Sequence, residues 1–303
     1  MKKVLLTGAS GFIGRHCLPI LLAKGYEVHA IYSNNIGQSH EGVYWHNADL
    51  LDIKGSCQLI HSIEPDYLLH LAWYAVPGKF WSSSKNFSWV EASLSLLRSF
   101  AEAGGQRVVM AGSCAEYDWR YGYCVEDLTP LSPSTIYGSC KHALHQLLEV
   151  YSNAYGLSAA WGRVFFLYGA YEHPSRLVSS VIRSLINEKP AFCTHGRQIR
   201  DFLHVEDGAT AFVSVLESDI SGPVNIASGN PISVRDVVGK IASKIGRSDL
   251  VRLGEVPLAD SEPHLIVGDT RRLTQEVGWY PRYELDSGLD ITIEWWNKES
   301  KDN

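Results

Sequence analysis

Short apolar runs separated by longer amphipathic stretches organise the first half of the chain. Val4–Leu6, Glu27–Tyr32, Val43–His46, Tyr67–Leu71, Arg107–Met110 and Ala159–Val164 read as strands, with helices between them. Near-continuous rather than alternating apolarity means that both faces of each strand are covered, and the strand–helix alternation predicts a parallel sheet with right-handed crossovers. The expected fold is therefore α/β, a Rossmann-type doubly wound parallel sheet with a smaller mixed α/β lobe. Past Tyr168-Gly169 the alternation breaks into helical stretches (Leu177–Asn187, Val234–Ile245), turns and single short strands. We assign residues 1–168, with roughly 205–228, to the dinucleotide-binding domain, and 169–204 with 229–303 to the smaller lobe. The polar tail Lys298–Asn303 is expected to fray.

The first strand runs directly into Thr7-Gly8-Ala9-Ser10-Gly11-Phe12-Ile13-Gly14, and an amphipathic helix through Cys17-Leu18-Pro19-Ile20-Leu21-Leu22 follows. Glycines at this spacing allow backbone N–H groups to approach a pyrophosphate at the positive end of a helix. In the middle of the chain Tyr137 precedes Lys141 by one helical turn, so both side chains share a face, where the ammonium is expected to lower the phenol's pKa. Taken alone, Tyr-x-x-x-Lys reads as a solvated helix pair. The glycine turn raises it to a candidate proton donor. Ser113, in Gly112-Ser113-Cys114-Ala115-Glu116-Tyr117, is the accompanying hydroxyl.

Composition narrows the partners. With 303 residues the chain buries a large core, and a net charge of −6 gives no basic footprint for nucleic acid or an anionic membrane. The six cysteines lack paired metal spacing and read as reduced thiols of a cytoplasmic protein. A strand beginning at Lys3 leaves no room for a signal peptide, and no apolar run reaches bilayer length. No metal site is expected, because His is not grouped with Cys or carboxylate at ligand spacing.

The ordered motifs resemble the extended short-chain dehydrogenase/reductase family acting on nucleotide-linked sugars, its epimerase, dehydratase and reductase group. They are the glycine turn, Asp49-Leu50, His70-Leu71-Ala72, the Ser113 segment, Pro133-Ser134-Thr135-Ile136-Tyr137-Gly138-Ser139-Cys140-Lys141, Tyr168-Gly169, Arg200-Asp201-Phe202-Leu203-His204, Asn225-Ile226-Ala227-Ser228-Gly229 and Gly278-Trp279-Tyr280-Pro281. The resemblance implies that Gly8, Gly11 and Gly14 cradle the cofactor pyrophosphate, with Phe12 and Ile13 alongside. Asp49 would meet the adenine amino group, and Leu50, Leu71 and Ala72 would line the cofactor. Lys141 would bind the nicotinamide ribose, Ser113 would hydrogen-bond the reacting sugar oxygen, and Tyr137 would move the proton. Arg200 is the implied diphosphate ligand, its fork matching phosphate oxygens, with Arg176 and Arg163 as weaker candidates. A homodimer is implied through helices near Trp89–Ala103 and Tyr137–Tyr155, where Leu94, Leu97, Leu144, Leu147 and Leu148 form an apolar stripe that core packing would explain equally well.

Other residues have competing readings. Trp73, Tyr74, Phe80 and Trp81 line the sugar pocket or belong to the core. Asp201 and His204 are expected to hold their loop by hydrogen bonds. Glu116 invites a catalytic reading; His142 and His145 are expected at the surface or in a dimer contact. Three departures bear on the reaction. Cys114 and Ala115 follow Ser113 where 4,6-dehydratases carry an acid/base pair, which disfavours dehydration. The second strand ends in Tyr32-Ser33-Asn34-Asn35 with no carboxylate, so Ser33, Asn34 or Arg15 could meet a 2′-phosphate, and NADP(H) is expected over NAD(H). Phe166 stands where Asn is common, and Val256-Pro257-Leu258-Ala259-Asp260-Ser261-Glu262-Pro263 replaces the usual Arg-Pro-Gly stretch. The leading expectation is an NADP(H)-dependent reductase of a nucleotide-linked 4-keto-6-deoxyhexose, the alternative an NAD-dependent nucleotide-sugar 4-epimerase, and a third a non-catalytic cofactor-binding sensor.

Overall fold

A computed structural model describes residues 1–34, 40–259 and 261–302; Asn35, Asp260 and Asn303 of the sequence argument lie outside the described residues. In chain order the elements are β1 (Lys3–Thr7), α1 (Gly14–Ala23), β2 (Glu27–Tyr32), β3 (Val43–Asn47), α2 (Ile53–Ile63), β4 (Tyr67–His70), α3 (Lys85–Glu102), β5 (Arg107–Ser113), β6 (Tyr123–Cys124), α4 (Ile136–Tyr155), β7 (Ser158–Val164), β8 (Phe166–Tyr168), α5 (Leu177–Ile186), β9 (Ala191–Cys193), β10 (Ile199–His204), α6 (Val205–Glu217), β11 (Gly222–Ile226), β12 (Pro231–Ser233), α7 (Val234–Ile245), β13 (Val251–Leu253), β14 (Leu265–Gly268) and α8 (Leu285–Asp302).

Seven of these strands form a parallel sheet in the order β11-β7-β5-β4-β1-β2-β3. Val4, Leu5 and Leu6 are fully buried because helices cover both faces, as continuous apolarity required. One core layer packs α1 and α6 on the sheet through Leu18, Leu21 and Phe212; the other packs α2, α3 and α4 through Ile60, Leu97 and Leu144. The strand order reverses between β1 and β4, so the glycine turn after β1 opens into the crevice where such sheets hold ligands.

The second sheet, β12-β10-β14-β6 with β8 on β10, draws two strands from the stretch expected to belong to the first domain. β8 leaves the large sheet after Val164 and pairs with β10, and β6 pairs with β14. Two- and three-residue strands carry too little periodicity to reveal their sheet. Of the tail expected to fray, residues 298–302 continue α8, and Lys298 pairs with Glu294 at 2.6 Å. Of the five stripe leucines, Leu97, Leu144 and Leu148 are core residues, while Leu147 remains exposed.

Candidate active site

The glycine turn has the geometry of a phosphate cradle. Gly8 sits at φ +69°, and the Gly11 N–H donates to Gly8 O at 2.9 Å. A Cβ on Gly14 would lie 2.2 Å from Gly8 O, so only glycine lets the helix start against the turn. Ile13 caps α1 with no side-chain hydrogen bond, and no acid occupies the first turn, which leaves the positive helix end to a ligand anion. The end of β4 touches the same turn: the Leu71 N–H donates to Thr7 O at 3.3 Å and the Ala72 N–H to Thr7 Oγ1 at 3.2 Å. Phe12 and Ile13 pack on the core beneath the turn. These residues fit a dinucleotide pyrophosphate.

Along the crevice, Ser33 and Asn34 are exposed just past β2, Asp49 is exposed just past β3, and Leu50 is buried beside it. Arg15 points elsewhere, donating to Ser10 O at 2.6 Å and Gly11 O at 3.1 Å and lying 4.1 Å over the Tyr171 ring. It serves the glycine turn rather than the end of β2.

Ser113 ends β5, and Tyr137 and Lys141 lie in the first turns of α4. Thr135 fixes that helix start by accepting the Gly138 N–H at 3.0 Å. A Cβ on Gly138 would lie 2.3 Å from Ala115 O, so glycine here allows α4 to close on the Ser113 turn. The result places the Ser113 hydroxyl where it lowers the pKa of the Tyr137 phenol. Lys141 is nearly fully buried; its Nζ donates to Ala111 O at 2.7 Å and lies 3.7 Å from the Trp73 ring centroid. Burial pushes the Lys141 ammonium down to about 7, with Glu116 opposing the shift. Burial raises the Tyr137 phenol, while the Ser113 hydrogen bond and Arg176 pull it back. The expectation that Lys141 lowers the phenol's pKa is therefore corrected. Desolvation outweighs the shared helix face, and the ammonium turns toward Ala111 O and Trp73 instead.

Aromatic rings wall this centre. Phe80 and Trp81 lie 4.8 and 5.6 Å from Tyr137, both edge-on, and Trp119 meets Trp81 at 6.1 Å. Trp73 covers Lys141 and donates to Asn86 Oδ1 at 2.8 Å, whereas Tyr74 lies outside it, 5.0 Å from Lys85 Nζ. Next to the wall lies a cavity of about 630 Å³, lined by Tyr117, Trp119, Tyr121, Ser134, His264 and Leu265 among others.

Behind Ser113 is a buried ion pair that sequence reasoning missed. Arg163, expected to be a phosphate candidate or a strand-end charge, is fully buried and its Nε contacts Glu116 Oε2 at 3.1 Å. His145 is likewise no surface residue. Its ring stacks on Trp161 at 5.3 Å, with Nδ1 3.3 Å from Arg163. The premise that no His groups with a carboxylate is overturned too, since ligand atoms of Glu116, His142 and His145 lie within 4.8 Å of one another. Residues 116, 142 and 145 meet only once α4 packs on β5 and β7. The Arg163 guanidinium touches two of the three groups and would repel a cation placed among them.

In the second sheet Arg200 is buried; it donates to Ile199 O at 2.8 Å and pairs with Glu262, whose segment replaces Arg-Pro-Gly. The expected phosphate ligand is thus held by an internal carboxylate. Arg176 is exposed at the N-cap of α5. Asp201 holds its loop as expected, accepting the N–H groups of Ser228 at 2.7 Å and Gly229 at 2.9 Å. Among the described residues the His204 ring nitrogens find no hydrogen-bond partner, and the ring packs against Tyr168 at 5.4 Å and Tyr283 at 4.7 Å.

A family model for the NAD dependent epimerase/dehydratase family matches residues 4–227. The chain belongs to that family. Members similar to it include UDP-glucuronic acid decarboxylase 1 of Danio rerio, 26% identical over 98% of this chain and 73% of that protein. UDP-glucose 4-epimerase of Rhizobium meliloti is 25% identical over 100% of this chain and 98% of its own length. Among solved structures, MoeE5 in complex with UDP-glucuronic acid and NAD superposes with a TM-score of 0.85 at 28% identity, covering 98% of this chain and 99% of that one. Family membership makes a nicotinamide dinucleotide the cofactor class. Among the described residues no helix is long and apolar enough to cross a membrane.

Proposed function

We propose that this family member is a nucleotide-sugar 4-epimerase that retains NAD. The convergence of Ser113, Tyr137 and Lys141 at the carboxyl end of β5, on the same edge of the parallel sheet as the glycine turn after β1, carries the reading. Gly8, Gly11 and Gly14 would hold the pyrophosphate at the start of α1, Asp49 and Leu50 the adenine end, and Leu71 and Ala72 the dinucleotide between them. A dinucleotide held there would supply reversible hydride transfer to and from a sugar carbon, with return to the opposite face giving the epimer. Tyr137 takes the proton from the sugar hydroxyl and gives it back, and Ser113 fixes that oxygen by hydrogen bond. Lys141, one helical turn on from Tyr137, would hold the ribose. Trp81, Trp119 and the adjacent cavity accept the sugar and its nucleotide, with Arg176 beside the diphosphate.

Epimerisation is supported by the similarity over the whole chain to a UDP-glucose 4-epimerase. Elimination of water is disfavoured because Cys114 is a buried thiol that burial pushes well above its ordinary value, and Glu116 is committed to Arg163. The NADP(H)-dependent 4-keto reductase expected from the sequence is the second reading, favoured by Ser33 and Asn34 standing at the end of β2 where a carboxylate would select NAD. The six free thiols suit a reducing compartment. A homodimer is supported by Phe87, Leu147, Val150 and Tyr155, exposed apolar residues of α3 and α4.

The test is to release and identify the dinucleotide co-purifying with the protein, then offer UDP-glucose and UDP-galactose, with Tyr137→Phe as control. Interconversion without added cofactor, lost in the variant, supports the epimerase. Consumption of NADPH on 4-keto-6-deoxy nucleotide sugars, with no interconversion, would replace it by the reductase.

A further inference from the structure

The Glu116 side chain lies at the junction of β5, β7 and α4 and has no part in the steps above. Its Oε1 accepts the Ser113 N–H at 2.7 Å and the Trp161 Nε1–H at 2.9 Å, and its Oε2 accepts Arg163 Nε–H at 3.1 Å. Glu116 and Ser113 cap each other, since the Ser113 Oγ accepts the Ala115 N–H at 3.2 Å while Glu116 holds the Ser113 amide. With one lone pair of Oγ committed inward, the Ser113 O–H is left to donate to Tyr137 or a substrate oxygen. Arg163 carries the constraint onward, donating to the Tyr117 hydroxyl at 3.0 Å and contacting His145 on α4. A continuous buried chain thereby ties Ser113 to the helix bearing Tyr137 and Lys141.

The titratable and charged groups packed around Lys141 are Tyr137, His142 and His145 on its own helix, Glu116 after β5, Arg163 on β7 and His70 on β4. Burial pushes His70 and His145 down to about 3, so both are neutral near pH 7. His142 is lowered by burial as well. The negative charge among these groups is Glu116, and it opposes the loss of the Lys141 ammonium on burial.

We infer that Glu116 is a positioning residue of the proposed reaction: it locks Ser113 against the Tyr137–Lys141 helix and serves as the counter-charge of the Lys141 ammonium. The inference rests on the roles given above to Ser113, Tyr137 and Lys141. Because it fixes a side chain and a charge, it has a readout that needs no substrate. In protein labelled with 13C at lysine Cε, the Lys141 resonance is assigned by its loss in Lys141→Met and titrated against pH.

In Glu116→Gln the Lys141 midpoint falls by about one pH unit or more, in the direction expected when an opposing negative charge is removed. Turnover falls about 10²-fold, with KM nearly unchanged, as expected when a reacting group is misplaced by about an ångström. An unchanged midpoint overturns the counter-charge role, and a raised KM with unchanged kcat overturns the positioning role. If Glu116→Gln does not fold, Glu116→Asp keeps the charge and shortens the reach. Its Lys141 midpoint should stay near that of the wild type while kcat falls, and a wild-type kcat in folded Glu116→Asp refutes the inference. Wild-type protein that turns over no nucleotide sugar yet shows the midpoint shift sinks the proposed function and leaves the counter-charge role standing.

Discussion

Glu172 makes stability depend on pH in a direction opposite to that of most carboxylates. It is buried beside the first turn of α5, where it accepts the Ser179 N–H at 3.2 Å and the Ser179 hydroxyl at 2.5 Å. Burial pushes the carboxyl up to about 7 from an ordinary 4.5, with the Ser179 bonds and Arg176 opposing. At about 1.36 kcal/mol per pH unit the ionised form is disfavoured in the fold by about 3 kcal/mol. Because the folded value is raised above the unfolded one, the group's full stability is present below about pH 4.5 and lost as pH rises through 7. Glu172→Gln keeps an acceptor for both Ser179 donors and carries no charge to desolvate. At pH 8.5 the variant should be more stable than the wild type by up to about 3 kcal/mol, and at pH 5 the two should agree within about 1 kcal/mol. With an unfolding entropy of about 2.1 cal/mol/K per residue, 3 kcal/mol corresponds to about 5 °C in Tm for a chain of this length. Calorimetry of both proteins at the two pH values measures this. A Tm difference that is the same at both, or a variant less stable at pH 8.5, refutes the reasoning.

Gly14→Ala forces a methyl to within 2.2 Å of Gly8 O and should break the Gly11–Gly8 hydrogen bond. Overpacking and the lost bond together cost about 2–4 kcal/mol, read by urea unfolding, and dinucleotide affinity measured by fluorescence titration should drop at least about 10²-fold. Arg163→Met leaves Glu116 buried without its cation, an expected loss of about 3–5 kcal/mol in the same unfolding assay; a loss under about 1 kcal/mol would mean that the pair does not hold the junction. If α3 and α4 form a dimer face, Leu147→Glu with Val150→Glu should convert the protein to monomer by light scattering with its Tm little changed, and a wild type that is already monomeric disposes of the idea.

Much of the frame was legible because the signals were local. The six strands expected of the large sheet each appear in it, and the strand, glycine turn and helix at the start of the chain are contiguous, as are Tyr137 and Lys141 one helical turn apart. What failed depended on distant partners. Arg163 looked like a strand-end charge until Glu116 met it across β5 and β7. His145 looked exposed because nothing along α4 reveals that Trp161 lies beneath it. The pull of Lys141 on Tyr137 was argued from helix spacing, whereas Trp73 in the loop after β4 and Ala111 on β5 decided where the ammonium points. β6 and β8 were too short for periodicity to say which sheet would take them.

The amino-acid sequence by itself determined the class of fold, the glycine turn between strand and helix, and the shared helix face of Tyr137 and Lys141, since all three follow from steric and periodic rules acting over a few residues. Only the tertiary structure decided how those side chains are charged and aimed. Burial, the Glu116–Arg163 pair, the Trp73 ring over Lys141 and the Arg200–Glu262 pair arise where strands far apart in sequence become neighbours, and desolvation is a property of that assembled environment rather than of any segment within it.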